Sequence, residues 1–343
     1  MLIPADPTLR PADQPGPTAT LPTRRPGSVR RTTSVDIVAT PGPGQPLTAA
    51  PTELTLRGRA RDLFTDSRGG TRVLGSALTQ LIIGPDRKVR TAIGHPHDLT
   101  PLVGRGAAIG FRTAVWRTLR ADYDAGSALH QLLDDVPGAL IISGFTRPKE
   151  TPTAPVARRL DVCIGWASES DAVHRLQSEG APPPPVWNPP APAWDDDPAG
   201  RHTLPDLPPG AMRRFRRLDV WRVGSDARAD VGFRDTFADP DGQVRVLHEY
   251  TATVSVDGDG TVTGCRATPH VLPHLECPYA AGTASRVIGS PARGLRESVS
   301  LDFFGPSTCT HLNDVLRGLA DVPALAAMLT GADPSGTGQG TSE

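Results

Sequence analysis

Apolar and polar side chains alternate along four early stretches, Thr32–Val38, Glu53–Phe64, Thr71–Ile83 and Lys88–Ile93, and each reads as a strand. A Pro/Gly-rich loop separates the first two, and a turn at Gly84-Pro85-Asp86 separates the last two. Gly104–Arg120 and Gly126–Leu133 then read as helices. Later in the chain Val244–Val256 reads as a strand, followed by a turn at Asp257-Gly258-Asp259-Gly260, and Thr310–Ala320 reads as a helix. Between these regions, Leu160–Trp166 is expected as a strand and Asp171–Ser178 as a short helix.

Laying the chain on itself explains why the order returns. Offset by 173 positions, Ala60–His97 covers Phe233–His270 without a gap, and 12 of the 38 pairs are identical. Chance would give about two or three for such a composition. The identities include Arg61-Asp62 on Arg234-Asp235, Arg72-Val73-Leu74 on Arg245-Val246-Leu247, and Pro96-His97 on Pro269-His270. The expected fold is therefore α+β, a tandem duplication in which each unit has an antiparallel sheet of three or four strands with helices on one face. The two units are expected to pack against each other. Residues 28–148 form a degenerate first repeat, 149–210 a connection and 211–330 a second repeat that carries the site. Residues 1–27 are rich in proline and poor in large apolar groups, so a disordered arm is expected, and a disordered tail over 331–343.

Composition narrows the function classes. With 343 residues and a net charge of -1 from 36 basic and 37 acidic side chains, nothing favours a nucleic-acid or membrane partner. The start carries no charged region followed by an apolar one, and no run of about eighteen apolar residues occurs, so a cytoplasmic protein is expected. Cys163, Cys265, Cys277 and Cys309 form no CxxC pair and read as reduced thiols. Ala181–Gly210 holds a run of four prolines with Trp187 and Trp194 interleaved. Such a segment is expected to lie on the surface with its rings docked, or to bind a protein partner.

The duplication also sorts the polar residues. Groups shared by both copies are expected to serve the fold, so Arg234-Asp235, matched by Arg61-Asp62, reads as a structural ion pair. Groups kept in one copy are candidates for function: His248 falls on Gly75, Glu249 on Ser76, and Cys277 and Cys309 have no cysteine opposite. On the strand Val244–Val256, His248 shares a face with Val244, Val246, Tyr250, Ala252, Val254 and Val256. A hydrogen-bonded core histidine is the structural alternative. Cys309 follows Ser307 and Thr308 at a helix start, where the dipole favours a thiolate, and His311 lies two residues on. A small buried thiol packing with Leu312, Leu316 and Leu319 is the alternative there. Cys163 and Cys265 read as core.

Arg216–Arg222, His248-Glu249-Tyr250, Glu276-Cys277-Pro278 and Cys309-Thr310-His311-Leu312 together resemble a bacterial family of unknown function, best over about residues 211–323. The order of strand, turn, strand, Cys277, small residues and Cys309 opening the last helix is also similar to the iron–sulfur cluster scaffold fold. That resemblance places His248 at an acidic ligand position and Cys277 and Cys309 at two cysteine positions. It departs where Val246 stands for the first cysteine and Thr308 for a histidine. Two thiolates and an imidazole suit zinc, so His248, Cys277 and Cys309 are expected as metal ligands, with His311 or Glu249 moving protons. A hydrolase or lyase acting on a small molecule would use such a site. Three other readings stand beside it: Cys309 as a metal-free nucleophile, a sulfur or iron–sulfur cluster carrier, and an interaction protein working through its Pro/Trp segment.

Overall fold

The computed structural model describes residues 14–42, 45, 51–143, 160–180, 183–194, 197 and 199–332. Strands β1 (Ser28–Pro41), β2 (Pro51–Thr65), β3 (Thr71–Ile83) and β4 (Val89–His95) form one antiparallel meander. Strands β5 (Met212–Val223), β6 (Asp226–Ala238), β7 (Val244–Val256) and β8 (Val262–Val271) form a second. The first strands of the two meanders pair antiparallel, giving one eight-stranded sheet ordered β4-β3-β2-β1-β5-β6-β7-β8. This corrects the expectation of two sheets packed against each other. Alone, β1 and β5 would each be an edge with a row of unpaired backbone groups, and joining them satisfies both rows at once.

Ion pairs clasp the seam on the outer face at both ends. Arg30 Nε lies 2.5 Å from Asp219, and Arg213 Nε lies 2.6 Å from Asp36, each across the β1/β5 register. The opposite face carries the helices. After β4 come α1 (Phe111–Thr118), α2 (Arg120–Ala125), α3 (Ala128–Asp134) and α4 (Val136–Ser143), and α5 (Asp171–Glu179) lies in the connection. After β8 come a 3-10 stretch, Cys277–Val287, then α6 (Leu295–Asp302), α7 (Thr310–Gly318) and α8 (Val322–Ala332).

Two apolar clusters result. One joins Leu56, Leu81 and Ile83 to Phe111, Leu129 and Leu132; the other joins Phe233, Tyr250 and Val254 to Leu295, Leu312 and Leu316. Each meander has a bulge, between Asp62 and Leu63 against β3 and between Asp235 and Thr236 against β7. The extra residues are Leu74 and Leu247, which the self-comparison pairs, and each packs into the cluster of the other half. The bulge at Leu247 also corrects the expected face of β7. Val246 pairs with Thr236, which together with Val244 lines the outer face, so neither valine shares the inner face on which His248 lies with Tyr250, Ala252, Val254 and Val256.

Three further expectations change. Leu160–Trp166 is not a strand but a turn leading into a 3-10 turn, Ile164–Trp166; Asp161 adopts a φ of 58° and binds Ser168 through its carboxylate. Of the arm expected to be disordered, residues 1–13 lie outside the described residues, whereas 14–27 run along the outer face. There Thr18 donates to Glu249 and Gly16 N donates to His270 O. The expected tail lies outside the described residues from 333 onward. The Pro/Trp segment lies on the same outer face: Val246 N donates to Pro189 O, Ala191 N donates to Val244 O, and the Trp194 ring sits 3.9 Å from the Arg234 guanidinium.

Beneath that cover His202 sits between Thr32 Oγ1 (2.9 Å) and Ser34 Oγ (2.8 Å). Burial, reinforced by Arg61 and Arg213, pushes its imidazole down to about 3; burial and Arg296 push His130 down to about 4. Folded values below the ordinary 6.5 mean that the unfolded chain takes up these protons first. The stability that the neutral rings contribute is complete above about pH 6.5 and is lost as pH falls toward 4 and 3. Urea midpoints are expected to fall across that window, and His202→Gln is expected to flatten the slope. An unchanged slope in that variant would remove His202 from the explanation.

Candidate metal centre

A row of side chains crosses the second meander on its helix-facing side. Arg214 on β5 stands opposite Asp235 on β6, and Asp235 stands opposite His248 on β7. Arg214 holds Asp235 with a fork, Nε to Oδ1 at 2.8 Å and Nη2 to Oδ2 at 3.1 Å. The first meander repeats the row as Arg31, Asp62 and Gly75, with the same fork at 2.7 Å and no imidazole. His248 is thus an addition to a structural pair present in both halves.

Helix α7 supplies the rest. Its second residue, His311, lies face to face with His248, ring centroids 3.5 Å apart and planes within 17°. Asp314, one turn on, accepts from Arg214 at 2.6 Å and from Arg112 at 2.6 Å, so Arg214 is held by carboxylates from both layers. Ligand atoms of Asp235, His248 and His311 all lie within 4.8 Å of one another. His248 Nδ1 is 3.3 Å from Asp235 Oδ2 but off the line a hydrogen bond needs, which leaves a buried nitrogen without a hydrogen-bond partner among the described residues.

The charges favour neutral imidazoles. Burial, then Arg214, holds His248 well below the usual histidine range, and burial with His248 alongside does the same to His311. Burial works against the Asp314 carboxylate, yet Arg112, Arg214 and Arg216 together pull it down to about 2. Two unprotonated imidazoles beside the Asp235 carboxylate form a donor set for a borderline divalent cation.

The remaining expected site residues fall elsewhere. Glu249 points to the outer face, as the alternation of β7 requires, and there accepts from Arg234 and Thr18. Arg234 and Asp235 are bonded to different partners on opposite faces, not to each other. Cys309 is the N-cap of α7, its Sγ 4.0 Å from His311 Nδ1, and makes no capping bond. Burial pushes its thiol up despite the helix amides, opposite to the expected thiolate. Burial, then Cys309 and Cys163, pushes the Cys277 thiol well up, and burial with Cys309 pushes Cys163 up to about 12. Among the described residues, Cys277 is not in the group that gathers around His248.

Gly165 abuts Cys277 closely: a methyl group added there would meet Sγ at 2.6 Å and His274 Cδ2 at 3.2 Å. Gly165→Ala is therefore expected to cost about 1–3 kcal/mol by overpacking, read from urea denaturation. Adding Cys277→Ala should recover part of the loss, and a double variant no more stable than the single one would contradict this contact.

Asp235 does not stand out in the sequence, because Asp62 occupies the matching place in the first half. Its cross-strand position beside His248 was the signal available. Among the described residues, no helix is long and apolar enough to cross a membrane. No curated protein and no solved structure matches the chain. Residues 212–325, which contain β5 to β8, His248 and His311, match the model of a family described as protein of unknown function (DUF2889).

Proposed function

We propose that the chain is a metal-binding protein that holds one zinc-type divalent ion through His248, His311 and Asp235, in the second unit of a tandem duplication. The observation that carries this reading is the buried His248 Nδ1, unpartnered within a cluster of two neutral imidazoles and a carboxylate. The carboxylate of Asp235 keeps lone pairs beyond the two taken by Arg214, so it can serve both partners. The stacked rings are the cost. One imidazole has to turn before both nitrogens aim at one point. When bound, the ion would supply Lewis acidity at a position left open by three protein ligands, which suits hydrolytic or lyase chemistry on a small molecule. Arg214 and Asp314 hold Asp235 and the helix in place, and the apolar thiols of Cys277 and Cys309 wall the site.

The reading with Cys309 as a free nucleophile has less support, since burial raises its thiol. The carrier reading also weakens, because Cys277 and Cys309 are buried. Cobalt(II) titration of the full chain tests the donor set. Visible bands that change in His248→Gln and His311→Gln, without thiolate charge transfer, are expected. A strong thiolate band lost in Cys277→Ser would restore Cys277 as a ligand, and no uptake of cobalt or zinc would overturn the metal centre.

A further inference from the structure

The outer face of the sheet is covered unequally. Over the second half, Thr18, Pro189–Pro192 and Trp194 close on β6 and β7. Over the first half Val73, Leu78 and Ile93 remain 55%, 52% and 58% exposed on β3 and β4. Beside this apolar row, β2 carries Arg57, Arg59 and Arg61 at alternate positions, opposite Gln80, Leu78 and Ser76 of β3.

These arginines lack counter-charges among the described residues. The nearby carboxylates are already taken: Asp36 by Arg213, Asp219 by Arg30 and Asp197 by Arg24. Arg59 Nη1 and Arg61 Nε are buried without a hydrogen-bond partner. Two cavities of about 280 and 270 Å3 lie along the strand, and both are lined by Arg59 and Leu78. Burial and then Arg24 lower Arg61, and Asp197, already paired with Arg24, offsets this only in part.

The second half shows what is missing. At the offset of the self-comparison, Arg57 corresponds to Asp230, Arg59 to Gly232, Arg61 to Arg234 and Ser76 to Glu249. Arg234 is neutralised by Glu249 and roofed by an extended segment through Trp194. Arg61 has the serine in place of the carboxylate and, among the described residues, donates to the Ala199 carbonyl.

We propose that this face binds an extended acidic peptide of a partner protein, whose carboxylates take the place that Glu249 fills in the other half and whose apolar side chains cover Val73, Leu78 and Ile93. Alternate residues on a strand are about 6.8 Å apart, so the three arginines span about 14 Å, a spacing that alternate residues of an extended peptide match. A small anion would engage one or two guanidinium groups and leave the apolar row bare.

The test is fluorescence polarisation of a labelled peptide of alternating glutamate and leucine against the full chain. Saturable binding that weakens with salt is expected, with at least about a tenfold loss in Arg59→Glu and a loss in Leu78→Ser. Arg90→Ala, at an exposed arginine paired with Asp86, should bind as the parent does. Circular dichroism shows whether each variant is folded, and Arg61→Ala replaces Arg59→Glu if the latter is not. Equal binding of a lysine–leucine peptide, or undiminished binding by the folded arginine variants, would overturn the proposal. So would pyrophosphate binding that competes fully while Leu78→Ser has no effect, because that is the signature of a small-anion site.

Discussion

Asp235→Ala is expected to remove about 3–5 kcal/mol of stability, the loss that follows when one partner of a buried ion pair is deleted. Arg214 is fully buried, and without Asp235 its Nε and Nη2 lose their acceptors, leaving the guanidinium held through Nη1 by Asp314 at 2.6 Å and, more distantly, by Asp135 at 3.6 Å. Asp62→Ala should cost a similar amount, since it strands Arg31 in the matching row of the first half, where Asp321 at 2.9 Å is the remaining carboxylate. Urea denaturation measures both. A loss below about 1 kcal/mol in either variant would mean that water reaches these guanidinium groups. The same network sets an acid limit distinct from that of the histidines. Asp314 is pulled from the ordinary 3.8 down to about 2, so its contribution is complete above about pH 4 and is lost as pH falls toward 2.

The second large effect is on metal. Zinc at about a hundred times its dissociation constant should stabilise the folded chain by about 2.7 kcal/mol, seen as a rise in melting temperature. His311→Gln should abolish the rise. Losing a direct ligand exceeds the about 10–100-fold loss in affinity that removal of a supporting partner brings. Cys277→Ser should keep the rise, because Cys277 lies outside the cluster of donors. A rise that survives in His311→Gln would place the ion elsewhere.

Much of the sheet was legible in sequence. Val244–Val256 was bounded to the residue, and β3 likewise at Thr71–Ile83, because alternation on a half-covered face is a strong signal. What joins the halves was not legible. β1 and β5 are rich in arginine, threonine and aspartate, and their pairing depends on ion pairs with residues about 180 positions away, which no local pattern records. The bulge at Leu247 also left no local signal, so Val244 and Val246 were placed on the wrong face. His248 is legible because Gly75 stands at its place in the self-comparison, and His311 because it lies two residues after Cys309 at a helix start. Asp235 is not legible in this way, since both halves carry the aspartate paired to an arginine. Cys277 has no cysteine opposite it in the self-comparison and also fits the scaffold resemblance, while the chain buries it against Gly165 and His274.

The most direct measurement is the elemental content of the full chain purified without chelators, run beside His248→Gln, His311→Gln and Cys277→Ser. A metal centre at Asp235, His248 and His311 predicts about one zinc-type ion per chain in the parent and in Cys277→Ser, and none in either histidine variant. Metal absent from the parent, or lost in Cys277→Ser and kept in the folded histidine variants, would contradict it.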